Sequence, residues 1–238
     1  MKFFRNITGN TLFINSAKDK NACKMSIVSN VTTPSQMKIF LFRNYHLPSF
    51  SQSHYDGTCK FKVWEAVRAS SAAPGYYEDF KLDGYVFHDG GILANNPTAI
   101  SIHEAKLLWP KSEINCVVSI GNGRYKPAGY SSSKASSVSI KQKLSRFVAG
   151  SMDPENINIM LCDLLPSKVY YRFNPYMSEE FSLDETRQEK WDVMKANTKM
   201  YMRRNDFKFN MCSSQLLKQK TSLKKAKKFL NEKFNCDM

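Results

Sequence analysis

The sequence predicts an α/β fold, and three observations carry that prediction. Strand-like and helix-like stretches alternate from residue 24 to residue 120, the pattern of α/β domains. Cys116-Val117-Val118-Ser119-Ile120 is a continuous apolar run ended by Gly121-Asn122-Gly123, which fits a strand buried on both faces, as in a parallel sheet. Between the strands, Val63-Trp64-Glu65-Ala66-Val67-Arg68-Ala69 and the stretch from Pro97 to Trp109 place apolar residues at helical spacing.

Taken in order, residues 1 to 23 are weakly patterned, with Thr11-Leu12-Phe13-Ile14 the strongest apolar run. Lys24 to Ser29 and Met37 to Phe42 read as strands around a Thr33-Pro34-Ser35 turn. Pro48 to Gly57 is rich in turn residues and reads as a loop. Pro74-Gly75 stops the first helix. In the second, Ala99, Ile100, Ile102, Ala105 and Leu108 are available for a core, and Trp109-Pro110 closes it. Ser131 to Ser139 holds six serines in nine residues and reads as a flexible loop. Lys141 to Val148 and Asn156 to Leu165 read as short helices, and Val169 to Phe173 as a strand. From Asp184 onward the pattern is helical and increasingly basic. Thr221 to Phe234 sets Leu223, Ala226, Leu230 and Phe234 among five lysines, a short amphipathic piece.

The totals fit a globular chain: 238 residues, 42% hydrophobic and 13% aromatic. A formal charge of +14 calls for an anionic partner or surface. Much of that charge is C-terminal, since Arg187 to Lys233 holds fourteen Lys or Arg against four Asp or Glu, a local net of +10. A solvated helical surface, contact with an anionic membrane and nucleic-acid binding would all account for it. No nucleic-acid motif supports the last. The six cysteines are far apart with no C-x-x-C, so no metal site is expected and free thiols in a reducing, intracellular compartment are. The first six residues lack the apolar core of a signal peptide, and no apolar run is long enough to cross a bilayer.

Chemistry centres on Tyr85-Val86-Phe87-His88-Asp89-Gly90-Gly91, a short strand running into a tight acidic turn. Asp89 sits at the strand end beside two small residues whose backbone angles are freer than those of a residue with a β-carbon. A nucleophile could approach closely there, although a plain turn is the simpler reading of Asp-Gly-Gly alone. Asn96 can cap the next helix, with Pro97 in its first turn.

With Arg68-Ala69-Ser70-Ser71-Ala72-Ala73-Pro74-Gly75-Tyr76 before that turn and Asn95-Asn96-Pro97 after it, the chain resembles the second half of the patatin-like phospholipase domain. Phe42-Arg43-Asn44-Tyr45, Ser53-His54-Tyr55, Gly121-Asn122-Gly123-Arg124-Tyr125 and Tyr171-Arg172-Phe173-Asn174-Pro175 add to the resemblance, which runs roughly from Gly9 to Lys190. It implies a partial three-layer α/β/α domain over residues 1–183, followed by a basic helical C-terminal extension over 184–238. It also implies a calcium-independent lipid acyl hydrolase of phospholipase A type, needing no cofactor, that cleaves glycerophospholipids with a Ser–Asp dyad. In such a dyad a serine in a G-x-S-x-G elbow attacks the ester and an aspartate is its base, while a glycine-rich loop stabilises the oxyanion.

Of that machinery the resemblance carries over only Asp89, as proton acceptor, with Gly90 and Gly91 completing its motif. None of the ten glycines opens a G-x-S-x-G, and there is no glycine-rich oxyanion loop, so the expectation is a chain that begins partway through the domain. Ser70 and Ser71 lack an elbow and read as helix-end packing. His88 and His103 read as structural histidines, and Gly121-Asn122-Gly123 as a strand-ending turn. Arg43 and Arg124 read either as lipid-phosphate contacts or as solvated surface. Two functions therefore stay open: the base-bearing part of a phospholipase, or a catalytically inactive remnant that binds a membrane or partner. A chain without the first half's central strands is also expected to be poorly soluble or partly disordered, because runs such as Cys116 to Ile120 would keep an uncovered face or edge.

Overall fold

The computed structural model describes residues 2–19, 21–125 and 153–218. The serine-rich loop, the helix expected over 141–148 and the amphipathic piece over 221–234 lie outside the described residues. Two compact units emerge, one from the described residues up to Ser112 together with 153–164, the other from 113–125 and 165–218.

The first unit opens with α1 (Lys2–Thr8) and a single-turn helix over Phe13–Ala17. A hairpin follows: β1 (Ser26–Thr32) pairs antiparallel with β2 (Met37–Arg43). The expected Thr33-Pro34-Ser35 turn closes it, with Thr33 Oγ1 and the Thr33 amide both donating to the Gln36 carbonyl. β3 (Asp56–Thr58) adds to β2 in parallel, inside a stretch the sequence reads as loop. β4 (Phe80–Leu82) and β5 (Tyr85–Asp89) form a second hairpin, and β5 pairs antiparallel with β1. The sheet is therefore mixed, in the order β3-β2-β1-β5-β4. The helices α2 (Val63–Ser70), α3 (Gly91–Ala94), α4 (Thr98–Leu108) and α5 (Glu155–Leu164) complete the unit. A mixed sheet with helices is a partial α/β domain, as the sequence predicts.

The core follows from strand alternation. Phe40 and Phe42 share one face of β2 and meet Phe87 of β5, all three pairs of ring centroids lying 5.1–5.2 Å apart. Fully burying each such ring stabilises by about 1.5–3 kcal/mol. On this aromatic layer lies α2, whose Ala66 and Ala69, with Ala72 just beyond, are small enough for close approach. Glu65 fixes the helix start by accepting the Lys62 backbone N–H at 2.8 Å.

In contrast, α4 does not dock through the apolar residues its periodicity offers. Of those five only Ile100 is buried, alongside Thr98 and Glu104. Glu104, 2% exposed, accepts four hydrogen bonds: Arg43 Nε at 2.7 Å, Arg43 Nη2 at 2.9 Å, Tyr45 Oη at 2.8 Å and Ser53 Oγ at 2.6 Å. Burial pushes its carboxyl up, but the bonds from Arg43, Ser53 and Tyr45 outweigh burial and hold it below the usual carboxylate range. Arg43 is thus neither a surface cation nor free for lipid phosphate. Gly57 makes room for it, since a β-carbon there would stand 2.3 Å from Arg43 Nη1 and 2.2 Å from the Leu41 carbonyl oxygen.

In the second unit, β6 (Val117–Ile120) pairs in parallel with β8 (Tyr170–Phe173), and β7 (Arg124–Tyr125) with β9 (Tyr176–Met177). The helices α6 (Gln188–Arg204) and α7 (Asp206–Leu217) follow. Phe173 stacks on Phe209 of α7 at 4.2 Å, beside the buried Cys212. The parallel pairing of β6 agrees with the sequence, but burial on both faces does not hold: Val118 is 39% and Ile120 78% exposed. Among the described residues β8 is the only strand on β6, so its other edge carries no partner strand.

Candidate active site

Asp89 is the last residue of β5, half-buried, opposite Ser29 of β1. Its backbone is tied on both sides. The Asp89 N–H donates to the Ala72 carbonyl at 2.9 Å, and Asn30 Nδ2 donates to the Asp89 carbonyl at 2.6 Å. The carboxylate is oriented by the turn it begins, Oδ1 accepting the Gly91 N–H at 2.6 Å. Oδ2 takes no hydrogen bond among the described residues, which leaves one oxygen available to a hydroxyl donor. A carboxylate with one oxygen fixed and one open can accept a hydrogen bond from a hydroxyl brought within reach.

Gly90 is glycine for a reason other than backbone freedom. Its φ of −60° and ψ of −29° are ordinary right-handed values that any residue adopts. What excludes a side chain is space: a β-carbon on Gly90 would lie 2.3 Å from the Val28 carbonyl oxygen. The turn presses directly against β1, and the Gly90 N–H donates to the Ser70 carbonyl at 3.2 Å. Gly91 opens α3.

The other sequence candidates fall into structural roles. Ser71 Oγ donates back into its own helix end, to the Val67 carbonyl at 2.9 Å, and Ser70 contributes its carbonyl to the Gly90 amide. His88 points away from Asp89, its Nδ1 lying 3.3 Å from Asp79 Oδ1. His103 packs against His54 and Tyr55. Asn96 Oδ1 accepts the Thr98 N–H at 3.3 Å and Thr98 Oγ1 at 2.6 Å, so it does serve the start of α4, from a position before Pro97. Arg124 lies 4.0 Å above the Tyr176 ring.

Two residues that the sequence did not single out hold the site. Ser29 Oγ bridges the His88 carbonyl at 2.7 Å and the Ala69 carbonyl at 3.0 Å, joining β5 to α2 through β1. Asn30, 0% exposed, donates to Asp89 while its own Oδ1 has no partner among the described residues. Its amide orientation is fixed, because only the NH2 end can face a carbonyl. The signal available in the sequence was an adjacent polar pair, Ser29 and Asn30, set between Ile27-Val28 and Val31. Among the described residues no group of three or more His, Cys, Asp or Glu could hold a metal ion. No helix among them is long and apolar enough to cross a membrane.

Residues 3–102 match the family of patatin-like phospholipases. The chain is 41% identical over 226 residues to a calcium-independent phospholipase A2-gamma of Rattus norvegicus, covering 94% of this chain and 29% of that protein. It is likewise 41% identical over 222 residues to the Homo sapiens protein of the same name, covering 91% of this chain and 28% of that one. To phospholipase A I of Arabidopsis thaliana it is 33% identical over 261 residues, 95% of this chain and 19% of that protein. The chain thus spans less than a third of the length of these relatives.

Proposed function

Because this chain belongs to the patatin-like phospholipase family, which residues 3–102 match, we propose that it is the base-bearing part of a calcium-independent lipid acyl hydrolase acting on glycerophospholipids. The observation that carries the reading is the Asp89 carboxylate, with Oδ1 held by the Gly91 amide and Oδ2 open.

In this reading a serine from a G-x-S-x-G elbow outside the 238 residues donates its proton to Asp89 Oδ2 as its oxygen attacks the ester carbonyl. The tetrahedral intermediate collapses by breaking the bond from acyl carbon to glycerol oxygen. Asp89 returns the proton to that oxygen, and lysophospholipid leaves. Water then attacks the acyl-serine, Asp89 takes its proton and passes it to the serine oxygen, and a free fatty acid is released. The fixed backbone of Asp89 supports this role, because a base must be within hydrogen-bond reach of the hydroxyl it serves.

We further read the second unit as the membrane-facing part. Met200, Met202, Phe207, Leu216 and Leu217 are exposed along α6 and α7, in the same stretch as Lys195, Lys199, Arg203 and Arg204. Each basic residue near an anionic bilayer is worth about 1 kcal/mol. This supports peripheral attachment to an anionic membrane surface, which we take to be intracellular.

The test joins this chain to the elbow-bearing segment of a relative and measures fatty acid release from phospholipid vesicles, with and without Asp89→Asn. The joined protein is expected to hydrolyse and the Asn variant to lose nearly all activity; equal rates in the two would sink the dyad. The absence of any G-x-S-x-G from the sequence favours a second reading, a catalytically inactive remnant that binds a membrane or partner. Hydrolysis by the 238-residue chain alone, lost on Asp89→Asn, would rule that out.

A further inference from the structure

The second unit holds a cavity of about 420 Å³ beside α7, within the size range of small-ligand sites. Tyr171, Phe207 and Met211 supply its apolar lining, and two lysines, Lys168 and Lys218, also line it, with no carboxylate among the lining residues. The side-chain donors of Asn210, Ser214 and Gln215 are already engaged. Asn210 Nδ2 donates to Asp206 Oδ2 at 2.9 Å, Ser214 Oγ to the Asn210 carbonyl at 2.8 Å, and Gln215 Nε2 to the Asn115 carbonyl at 2.8 Å. Neither lysine takes part in an ion pair among the described residues.

Lys168 also sits where a lysine is out of place. The Val169 N–H donates to the Pro166 carbonyl at 3.2 Å, closing a turn in which Lys168 is the third residue with φ +68°. Glycine or asparagine is favoured at that position, and a side chain held there against its preference points to a ligand-facing use. Phe207, 76% exposed, leaves an aromatic ring in water at the same cavity.

We propose that this cavity binds one long-chain carboxylate, a free fatty acid. Its acyl chain lies along Phe207, Tyr171 and Met211, and its head pairs with Lys168 and Lys218. Two cations with no facing anion select a negative head. The donors are point charges with no arginine fork among them, a set that suits a single carboxylate better than a phosphate dianion. The apolar wall selects a tail, since a small anion would leave the rings wet. The site shares no residue with Asp89 and its turn, so it stands or falls apart from the hydrolytic reading.

The experiment titrates the full 238-residue chain with oleate carrying a 13C carboxyl, kept below its micelle concentration, and follows the carboxyl resonance. Oleyl alcohol, butyrate and phosphatidylserine-containing vesicles are the comparison ligands. One oleate per chain is expected, with the alcohol and butyrate each at least about tenfold weaker. Lys168→Gly should melt no lower than the parent chain yet bind oleate about tenfold more weakly, as should Lys218→Ala. Should Lys168→Gly fail to fold, Lys168→Asn replaces it, since asparagine tolerates the same backbone. Undiminished oleate binding by both lysine variants overturns the proposal. So does equal affinity for oleyl alcohol, or capture by vesicles without binding of monomeric oleate.

Discussion

Replacing Glu104 with glutamine removes one charge and almost no volume, yet it should be among the most damaging single changes in the first unit. The two carboxylate oxygens divide four donors between them: Oε1 accepts Arg43 Nη2 and Ser53 Oγ, and Oε2 accepts Arg43 Nε and Tyr45 Oη. Whichever way the amide of the introduced glutamine turns, its NH2 end faces an arginine N–H, donor against donor. The hydroxyls of Ser53 and Tyr45 can rotate and accept instead, but the guanidinium cannot. One charge-assisted bond worth about 1.5–3 kcal/mol is lost. Arg43, 6% exposed, also keeps its charge without a counter-ion, and broken buried pairs cost about 3–5 kcal/mol in all. A loss of about 4 kcal/mol follows, or about 2 M in urea midpoint at a slope of about 2 kcal/mol/M. Trp64 fluorescence, in a background with Trp109 and Trp191 changed to Phe, reads this unit during the urea titration. Arg43→Met combined with Glu104→Leu should recover most of the loss, because an apolar pair leaves no buried charge. A Glu104→Gln cost below about 1 kcal/mol, or a double variant whose cost is the sum of the singles, would refute the reasoning. The sign with pH is also set. A carboxyl held below its unfolded value contributes stability in full above the unfolded pKa of about 4.3, and that stability is lost as pH falls through the lower folded value. The parent chain should therefore weaken on acidification in that window, and Glu104→Gln should lack this contribution.

Gly90→Ala puts a methyl 2.3 Å from the Val28 carbonyl oxygen and should cost about 1–3 kcal/mol by forcing β5 away from β1, measured by thermal melting. An unchanged melt would show that the turn has more room than the geometry gives it. At Asn30, Leu removes the donor to the Asp89 carbonyl together with the unpaired Oδ1, whereas Asp sets a second oxygen against that carbonyl; Asn30→Asp should be the less stable by about 1–3 kcal/mol in a urea titration. The reverse order would contradict the assigned amide orientation. On β6, Ile120→Lys places a charge on a side chain that is 78% exposed beside an edge without a partner strand among the described residues, and should raise the soluble fraction of the expressed chain several-fold. No gain would mean that this edge does not drive association.

Much of the fold was legible because it rests on local periodicity. The Met37 strand, the helices α2 and α4, the strand over Tyr85 to Asp89 and the parallel β6 lie where apolar spacing put them. Two of the misses share a cause, namely that partners distant in sequence decide them. β3 is a strand only because Leu41 offers its backbone to Gly57, and nothing in Asp56-Gly57-Thr58 announces it. The docking of α4 through Glu104 was hidden because a lone glutamate on a helix reads as solvent-facing until Arg43, Tyr45 and Ser53 arrive from some fifty to sixty residues earlier. At the candidate site the acid itself was evident from Asp-Gly-Gly and its neighbours. The reason for Gly90 was not, since a requirement for space appears only when the Val28 carbonyl is beside it.

The closing turns of α2 show what this arrangement asks of the chain. A helix leaves its last carbonyls without partners, and here those of Ala69 and Ser70, with that of Ala72 just past the end, are satisfied by Ser29 Oγ, the Gly90 amide and the Asp89 amide. The acidic turn is therefore the lid on a helix that was completed nearly twenty residues before it. The helix cannot fray at that end without releasing Asp89, nor can Asp89 wander without uncapping the helix. Placement of the carboxylate is thereby made part of the same cooperative transition that forms the aromatic layer, and the stability of the core adds to the precision that the Asn30 and Gly91 contacts supply.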